Sequence, residues 1–345
     1  LRKINPVILW REGNRAVFDC QENIAGWVTV RCKGKAGEKI RIRHSEEIAE
    51  DKRNLDFKSA GGGQQIQEDS YICDGTEREI HPKFCWHAFR YFEVEGPGEV
   101  ESVSLVCTEV VPISSFKCSD PVLNWLYEAY IRTQINNYHN CIPSDCPHRE
   151  RLGYTGDGQL TSETAMLLLD TKKLYEKWYQ DILDSQGEDT GHIPHTAPFF
   201  GGGGGPGGWG GAVYIVPWNA YKVYGDISLL QVGYPAIIKW LDYMESRCEA
   251  GIVVREEEGG WCLGEWCMPG DAEGVLPPAF VNTYYYIEGL RITEKIAALL
   301  NQDRPVWLEQ RMERSRNAFR KKWFNLETGD FCGGIGAANA FALNL

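Results

Sequence analysis

The chain lacks any stretch approaching the roughly 20 consecutive apolar residues that a bilayer-spanning helix needs. Its first residues, Leu1 to Pro6, carry neither an initiator methionine nor the apolar core of a secretory leader. The expectation is a chain that begins inside a longer polypeptide or behind a removed leader. Positive charge is the minority, with 36 Lys and Arg against 48 Asp and Glu and a net charge of −12. Such a balance without an extended basic block repels phosphate backbones and anionic lipid, so no nucleic-acid or membrane partner is expected. Cysteine is sparse: twelve residues in 345, dispersed and with no C-x-x-C pair. They read as reduced, mostly buried thiols of a cytoplasmic protein, not as a disulfide scaffold or a zinc site. Apolar residues, at 43%, are plentiful, and 12 Trp and 16 Tyr give ample material for a core. Disorder is excluded. The sequence leaves the oligomeric state open.

Two regions differ in pattern. Residues 1–16 read as the remnant of a preceding segment, and 17–110 as a β-sandwich of the jelly-roll kind. Trp27–Arg31 and Lys39–His44 alternate apolar and polar residues around a Gly34–Gly37 turn. Phe89–Val94 and Val100–Val106 flank Gly96-Pro97-Gly98 and predict a hairpin. Near Pro112 the pattern becomes helical. Asp120-Pro121 is a cap-and-proline helix start, repeated at Asp303 with Pro305. Further helices are expected near 158–170, 171–185, 213–224, 226–247, 279–300 and 304–324, with Pro235 kinking or splitting its helix. Paired helices around a crevice fit residues 113–345. A twelve-helix toroid needs about 300 residues, and this region has 233. It ends inside an apolar run, Ala337–Leu345, so the expectation is a helical barrel truncated at its C-terminus.

Chemistry concentrates at Pro143–Gln159, where Asp145, Glu150 and Asp157 stand among prolines, glycines and arginines. Crowded carboxylates repel, so at least one is expected to keep its proton near neutrality. A protonated acid beside ionised partners is what glycosidic cleavage requires. A capping and ion-pair cluster, with Arg149 and Arg151 neutralising the acids, stays open beside that reading.

The run Asp145-Cys-Pro-His-Arg-Glu-Arg-Leu-Gly-Tyr-Thr-Gly-Asp157 resembles the signature of the bacterial α-L-rhamnosidase family, inverting glycoside hydrolases with an (α/α)6 six-hairpin barrel. Asp19–Trp27 and Phe84–Tyr91 resemble the β-sandwich that precedes that barrel. Gly191–Pro198, Trp209–Trp218, Leu263–Trp266 and Asn282–Tyr286 resemble its loops and helices. The resemblance implies release of terminal α-L-rhamnose from carbohydrate substrates without a cofactor or metal. It implies Glu150 as general acid, with Asp145 and Asp157 holding hydroxyls and Arg149 orienting them. Tyr154, where many members have Trp, would wall the sugar with Trp209 and Trp266, and His195 and Trp261 are further candidates. An aromatic wall suits the methyl and C–H face of a 6-deoxy sugar.

One expected group is absent. The family's general base is a Glu in a Trp-Glu segment, and no Trp-Glu dipeptide occurs here. The base is therefore expected outside this chain, with Glu163, Glu188, Asp189 and Glu265 as speculative substitutes. Two alternatives follow: a catalytically impaired fragment or rhamnose-binding protein, and a different exo-glycosidase or lyase on the same barrel. The remaining signals read blandly. Gly201–Gly208 lacks the Lys-Ser/Thr of a phosphate loop and reads as a loop on the crevice rim, with a lid over sugar as its sharper variant. Pro194 between His192 and His195 keeps them out of helical register, so a loop contact with sugar outranks a metal. Trp178, Tyr179, Trp240 and Tyr243 read as core, and Arg311–Lys322 as a solvated face.

Overall fold

The computed structural model describes residues 2–59, 66–201, 208–257, 264 and 276–345. They divide into two compact units, Leu1–Arg151 and Leu152–Leu345.

The first unit carries strands β1 (Arg2–Ile4), β2 (Val7–Glu12), β3 (Arg15–Cys32), β4 (Lys39–Ser45), β5 (Glu47–Ile48), β6 (Leu55–Asp56), β7 (Gln67–Ile72), β8 (Arg78–Ile80), β9 (His87–Glu95) and β10 (Gly98–Leu105). Eight of them form one sheet in the order β1-β10-β3-β9-β4-β7, with β2 and β8 also pairing to β3. All of its pairings are antiparallel. Strand β3 is its spine. Its even-numbered residues Ala16, Phe18, Cys20, Ile24, Val28, Val30 and Cys32 enter one apolar cluster with Phe89, Phe92 and Val103, as period-two alternation requires.

This arrangement changes two sequence readings. Residues 1–16, set apart above, contribute β1 to β10 and β2 to β3. The anticipated hairpin across Gly96-Pro97-Gly98 does not pair with itself, because β3 lies between β9 and β10 and bonds to both. Nor do β3 and β4 pair across the Gly34–Gly37 turn, since β4 bonds to β7 and β9. Buried charge is compensated: Glu93, 1% exposed, accepts from Arg15 Nε at 2.7 Å and Arg43 Nη2 at 2.6 Å.

Helix α1 (Pro121–Asn137) begins as expected, Asp120 accepting from the Val122 N–H at 2.8 Å. It is followed by a two-stranded ribbon, β11 (Tyr138–His139) with β12 (Ile142–Pro143). Composition turns helical near Pro112, yet α1 stays with the sheet. Asn136 ties it there, its Oδ1 accepting from the Ala25 N–H at 3.2 Å and its Nδ2 donating to the Asn23 carbonyl at 2.9 Å.

The second unit contains α2 (Thr155–Leu168), α3 (Lys172–Ser185), α4 (Ala212–Tyr224), α5 (Ser228–Ser246), a ribbon of β13 (Cys248–Glu249) and β14 (Ile252–Val253), α6 (Pro278–Leu300), α7 (Leu308–Trp323) and the short α8 (Ala338–Ala342). The packing is that of successive helical hairpins: α2 neighbours α4, α4 neighbours α6, and α3 neighbours α5. Helices α2, α4 and α6 bury polar residues as well as apolar ones, such as Ser162, Asn219 and Asn282, as helices covered on several sides must. Asn219 Nδ2 donates to Ser162 Oγ at 2.9 Å, so the buried amide is not left without a partner.

Pro235 lies inside the continuous helix α5 and does not split it. The second cap-and-proline start also shifts, since α7 begins at Leu308 after Trp307 with no side-chain cap. Its basic face is partly docked: Arg311 Nη1 reaches Asp242 at 2.7 Å and Arg314 Nη2 reaches Glu245 at 2.5 Å, both carboxylates on α5. Trp178, Tyr179 and Trp240 are core, with Tyr243 only half-buried. Among the described residues ten cysteines are free thiols, of which Cys20, Cys32 and Cys73 are buried and seven are half-buried, fewer buried than the sequence led us to expect. No described helix is long and apolar enough to cross a membrane.

Candidate active site

After β12 the chain runs through Ser144–Arg151, where the left-handed φ of +57° at Arg151 turns it. Within this loop Asp145, Cys146 and Glu150 each place one potential ligand atom within 4.8 Å of the others. The Asp145 and Glu150 side chains are hydrogen-bonded to each other, which requires a proton between them. Arg149 Nη2 contacts Glu150 Oε1 at 2.5 Å, with the Glu150 side chain 32% exposed. Burial raises the Asp145 pKa first, the thiol and N–H of Cys146 pull it back, and the bond to Glu150 raises it further. Cys146 Sγ donates to Asp145 Oδ2 at 2.9 Å.

Two details differ from the sequence expectation. A raised carboxyl was expected from crowding; Asp145 is raised, but burial is the first cause and the bond to Glu150 the second of the raising ones. Arg151 does not neutralise the acids. Its Nη1 donates to the Trp86 carbonyl at 2.6 Å, and its guanidinium lies over the Trp86 ring.

In the second unit, Tyr154, His195 and Trp209 come together. Tyr154 meets Trp209 edge to face at 5.3 Å and lies 5.8 Å from the His195 ring. The backbone fixes this grouping: the Thr155 N–H donates to the His195 carbonyl at 2.8 Å, and Gln159 Nε2 to the Gly208 carbonyl at 2.7 Å. Glycines permit it. A Cβ at Gly156 would overlap the Trp209 indole, and one at Gly158 the Trp178 ring. Asp157 lies in the first turn of α2, where the N-terminal end of the helix favours a carboxylate.

His192 and His195, with Glu257, line a cavity of about 290 Å³. His192 Nε2 is 3.8 Å from Glu257 Oε2. Burial lowers the pKa of both histidines, Glu257 opposing it. Trp261, Glu265 and Trp266 lie outside the described residues, as do residues 202–207 of the glycine run.

Sequence reasoning missed Glu256. It is 3% exposed, its Oε2 has no hydrogen-bond partner among the described residues, and burial, followed by the neighbouring charge of Glu257, pushes its pKa up to about 8. The only sequence signal was the acid run Glu256–Glu258 against Gly259-Gly260. It also passed over Cys146, which packs among the signature carboxyls.

The comparisons with known proteins bear on the whole chain. Residues 112–345 match the model of the bacterial alpha-L-rhamnosidase 6 hairpin glycosidase domain, and 11–111 the bacterial alpha-L-rhamnosidase concanavalin-like domain. An alpha-L-rhamnosidase of Formosa agariphila is 30% identical over 90% of this chain and 36% of that protein. One of Streptomyces avermitilis is 31% identical over 88% of this chain and 29% of that protein. The chain thus spans about a third of the length of these curated relatives. The solved S. avermitilis α-L-rhamnosidase, complexed with L-rhamnose, superposes with a TM-score of 0.87 at 26% identity, covering 99% of this chain and 33% of that one. The α-L-rhamnosidase of Dictyoglumus thermophilum gives 0.81 at 28% identity, covering 94% and 37%.

Proposed function

We propose, from the premise that the chain belongs to the bacterial α-L-rhamnosidase family, that it binds terminal α-L-rhamnose and supplies the acid half of inverting hydrolysis. The observation that carries this reading is the hydrogen-bonded Asp145–Glu150 pair with Arg149 against Glu150. A pair holding one proton can pass it from Glu150 to a departing glycosidic oxygen. Arg149 then stabilises the carboxylate that remains, which makes Glu150 a stronger acid at the moment of transfer. Asp145 and Asp157 hold sugar hydroxyls. Tyr154 and Trp209, and on resemblance Trp266, are assigned to the deoxy methyl and C–H surface.

Inversion also needs a carboxylate about 6.5–9.5 Å from the acid to activate water. We assign that base to none of the residues 1–345, because no Trp-Glu segment is present. The same absence favours a second reading, in which this chain binds rhamnose with little turnover.

Calorimetry with L-rhamnose and hydrolysis of 4-nitrophenyl α-L-rhamnoside test both. Rhamnose is expected to bind, and Asp145→Ala to weaken it about tenfold or more. Any turnover is expected to fall about 100-fold or more in Glu150→Gln. Binding without turnover selects the second reading. Failure to bind rhamnose, or turnover indifferent to Glu150→Gln, contradicts the proposal.

A further inference from the structure

Strands β9, β4 and β7 lie side by side in the sheet, and the apolar face they share ends in a polar corner. Along β4, Ile40 and Ile42 enter the core cluster, and His44 follows them on the same face. Antiparallel pairing sets Gln67 of β7 opposite His44 and Asp69 opposite Ile42, so both lie on that face too. On β9, His87 stands two residues before the core residue Phe89. His44 is 0% exposed and His87 4%, and their rings stack at 4.3 Å.

Titratable groups at the edge of an apolar core are costly unless each finds a partner. Here the pairing is incomplete. The Gln67 amide is satisfied, its Nε2 donating to the Ala88 carbonyl at 2.7 Å and its Oε1 accepting from the Ala88 N–H at 2.9 Å. His87 Nε2 lies 3.0 Å from Asp69 Oδ1. Among the described residues, His44 Nε2, Asp69 Oδ2, Tyr71 Oη and His87 Nδ1 have no hydrogen-bond partner.

Two of these atoms stand 4.0 Å apart, His44 Nε2 and Asp69 Oδ2. His44 Nδ1 is 3.2 Å from the Gln67 carbonyl, which can only accept, so the ring proton sits on Nδ1. Full burial disfavours a second proton on that ring. Nε2 therefore turns a lone pair toward a carboxylate oxygen. Two acceptors at this distance call for a cation. Zinc bonds of about 2.0–2.2 Å to nitrogen and oxygen span the gap, and an N–H donated to a carbonyl is the contact that ordinarily orients a metal-bound imidazole.

We propose that His44, Asp69 and His87 form a binding site for a divalent cation of the zinc type, joining β4, β7 and β9 at the end of the core. The three residues each place one ligand atom within 4.8 Å of the others. Cys85 Sγ, 3.9 Å from His87 Nε2, offers a fourth donor. Two imidazoles, a carboxylate and a thiol suit zinc, whereas calcium and magnesium take oxygen ligands. The ion replaces the proton held between His87 and Asp69. That proton passes to solvent, both groups become ligands, and no electron moves. Asp69 and Cys85 are half-buried and give the ion its route in. The site is independent of the rhamnose reading.

The test is calorimetric titration of zinc chloride into the metal-stripped, reduced 345-residue chain in excess magnesium. One site is expected, with a Kd of about 1 μM or below and release of about one proton, read from the dependence of the heat on the buffer. Cobalt in place of zinc should give a tetrahedral absorption spectrum. Asp69→Asn, nearly isosteric and half-buried, should weaken zinc about 100-fold or more. Asp145→Asn, in the other carboxyl–thiol cluster, should leave it unchanged. In the parent chain, which needs no variant to fold, the imidazole nitrogen resonances of His44 and His87 should shift on adding zinc. Absence of a tight site, an octahedral cobalt spectrum, binding that Asp69→Asn spares or Asp145→Asn removes, or imidazole resonances that stay put would overturn the proposal.

Discussion

At the scale of single residues, the chemistry turns on where burial and hydrogen bonds put protons. Asp145 is raised chiefly because it leaves water, and Glu150 shares its hydrogen bond while Arg149 waits on the other side. In the proposed mechanism one carboxyl would store the proton, its partner would deliver it, and a fixed cation would take up the charge that delivery creates. Glu256 shows the same force without such company. Its carboxyl is raised from 4.5 to about 8 by burial first and by Glu257 second. A raised carboxyl contributes fully to stability below pH 4.5 and loses that contribution as the pH climbs through about 8. Glu256→Gln, which cannot ionise, is therefore expected to gain on the parent between pH 5 and pH 9, by the order of 3 kcal/mol. Denaturant melts across that range check it, and a difference independent of pH would contradict it.

At the scale of elements, α2 shows how a signature becomes geometry. Its first turn holds Asp157, and its glycines let two tryptophans lie against the backbone. Gly156→Ala is expected to push the Trp209 indole away from Tyr154 and lower rhamnose affinity about tenfold. The cost in stability should be about 1–3 kcal/mol, the usual range for overpacking. Calorimetry paired with a thermal melt reads both, and unchanged affinity would show that Trp209 does not wall the sugar.

Helix positions were legible in the sequence because a 3.6-residue apolar period and an Asp-Pro start are local signals. Strand partners were not. That β3 would pass between β9 and β10, or that residues 2–12 would edge the same sheet, depends on pairings far apart in sequence. The glycine–tryptophan contacts and the burial of Glu256 are also tertiary facts. Asp303-Pro305 misled for the opposite reason: a good local start was set aside, and the helix begins at Leu308.

At the scale of the whole molecule, an antiparallel β domain and a six-hairpin glycosidase domain match family models over residues 11–345, within about a third of the relatives' length. The proposed function asks residues 1–345 themselves to bind a deoxy sugar and to hold one proton for its leaving oxygen. The direct measurement is a carbon-13 NMR titration of the Asp145 and Glu150 carboxyls in this chain, assigned with Asp145→Asn and Glu150→Gln. The account predicts two coupled steps, one of them displaced above the ordinary carboxylate range, with the displacement reduced when either partner is replaced. Two independent titrations at or below the ordinary range would contradict it.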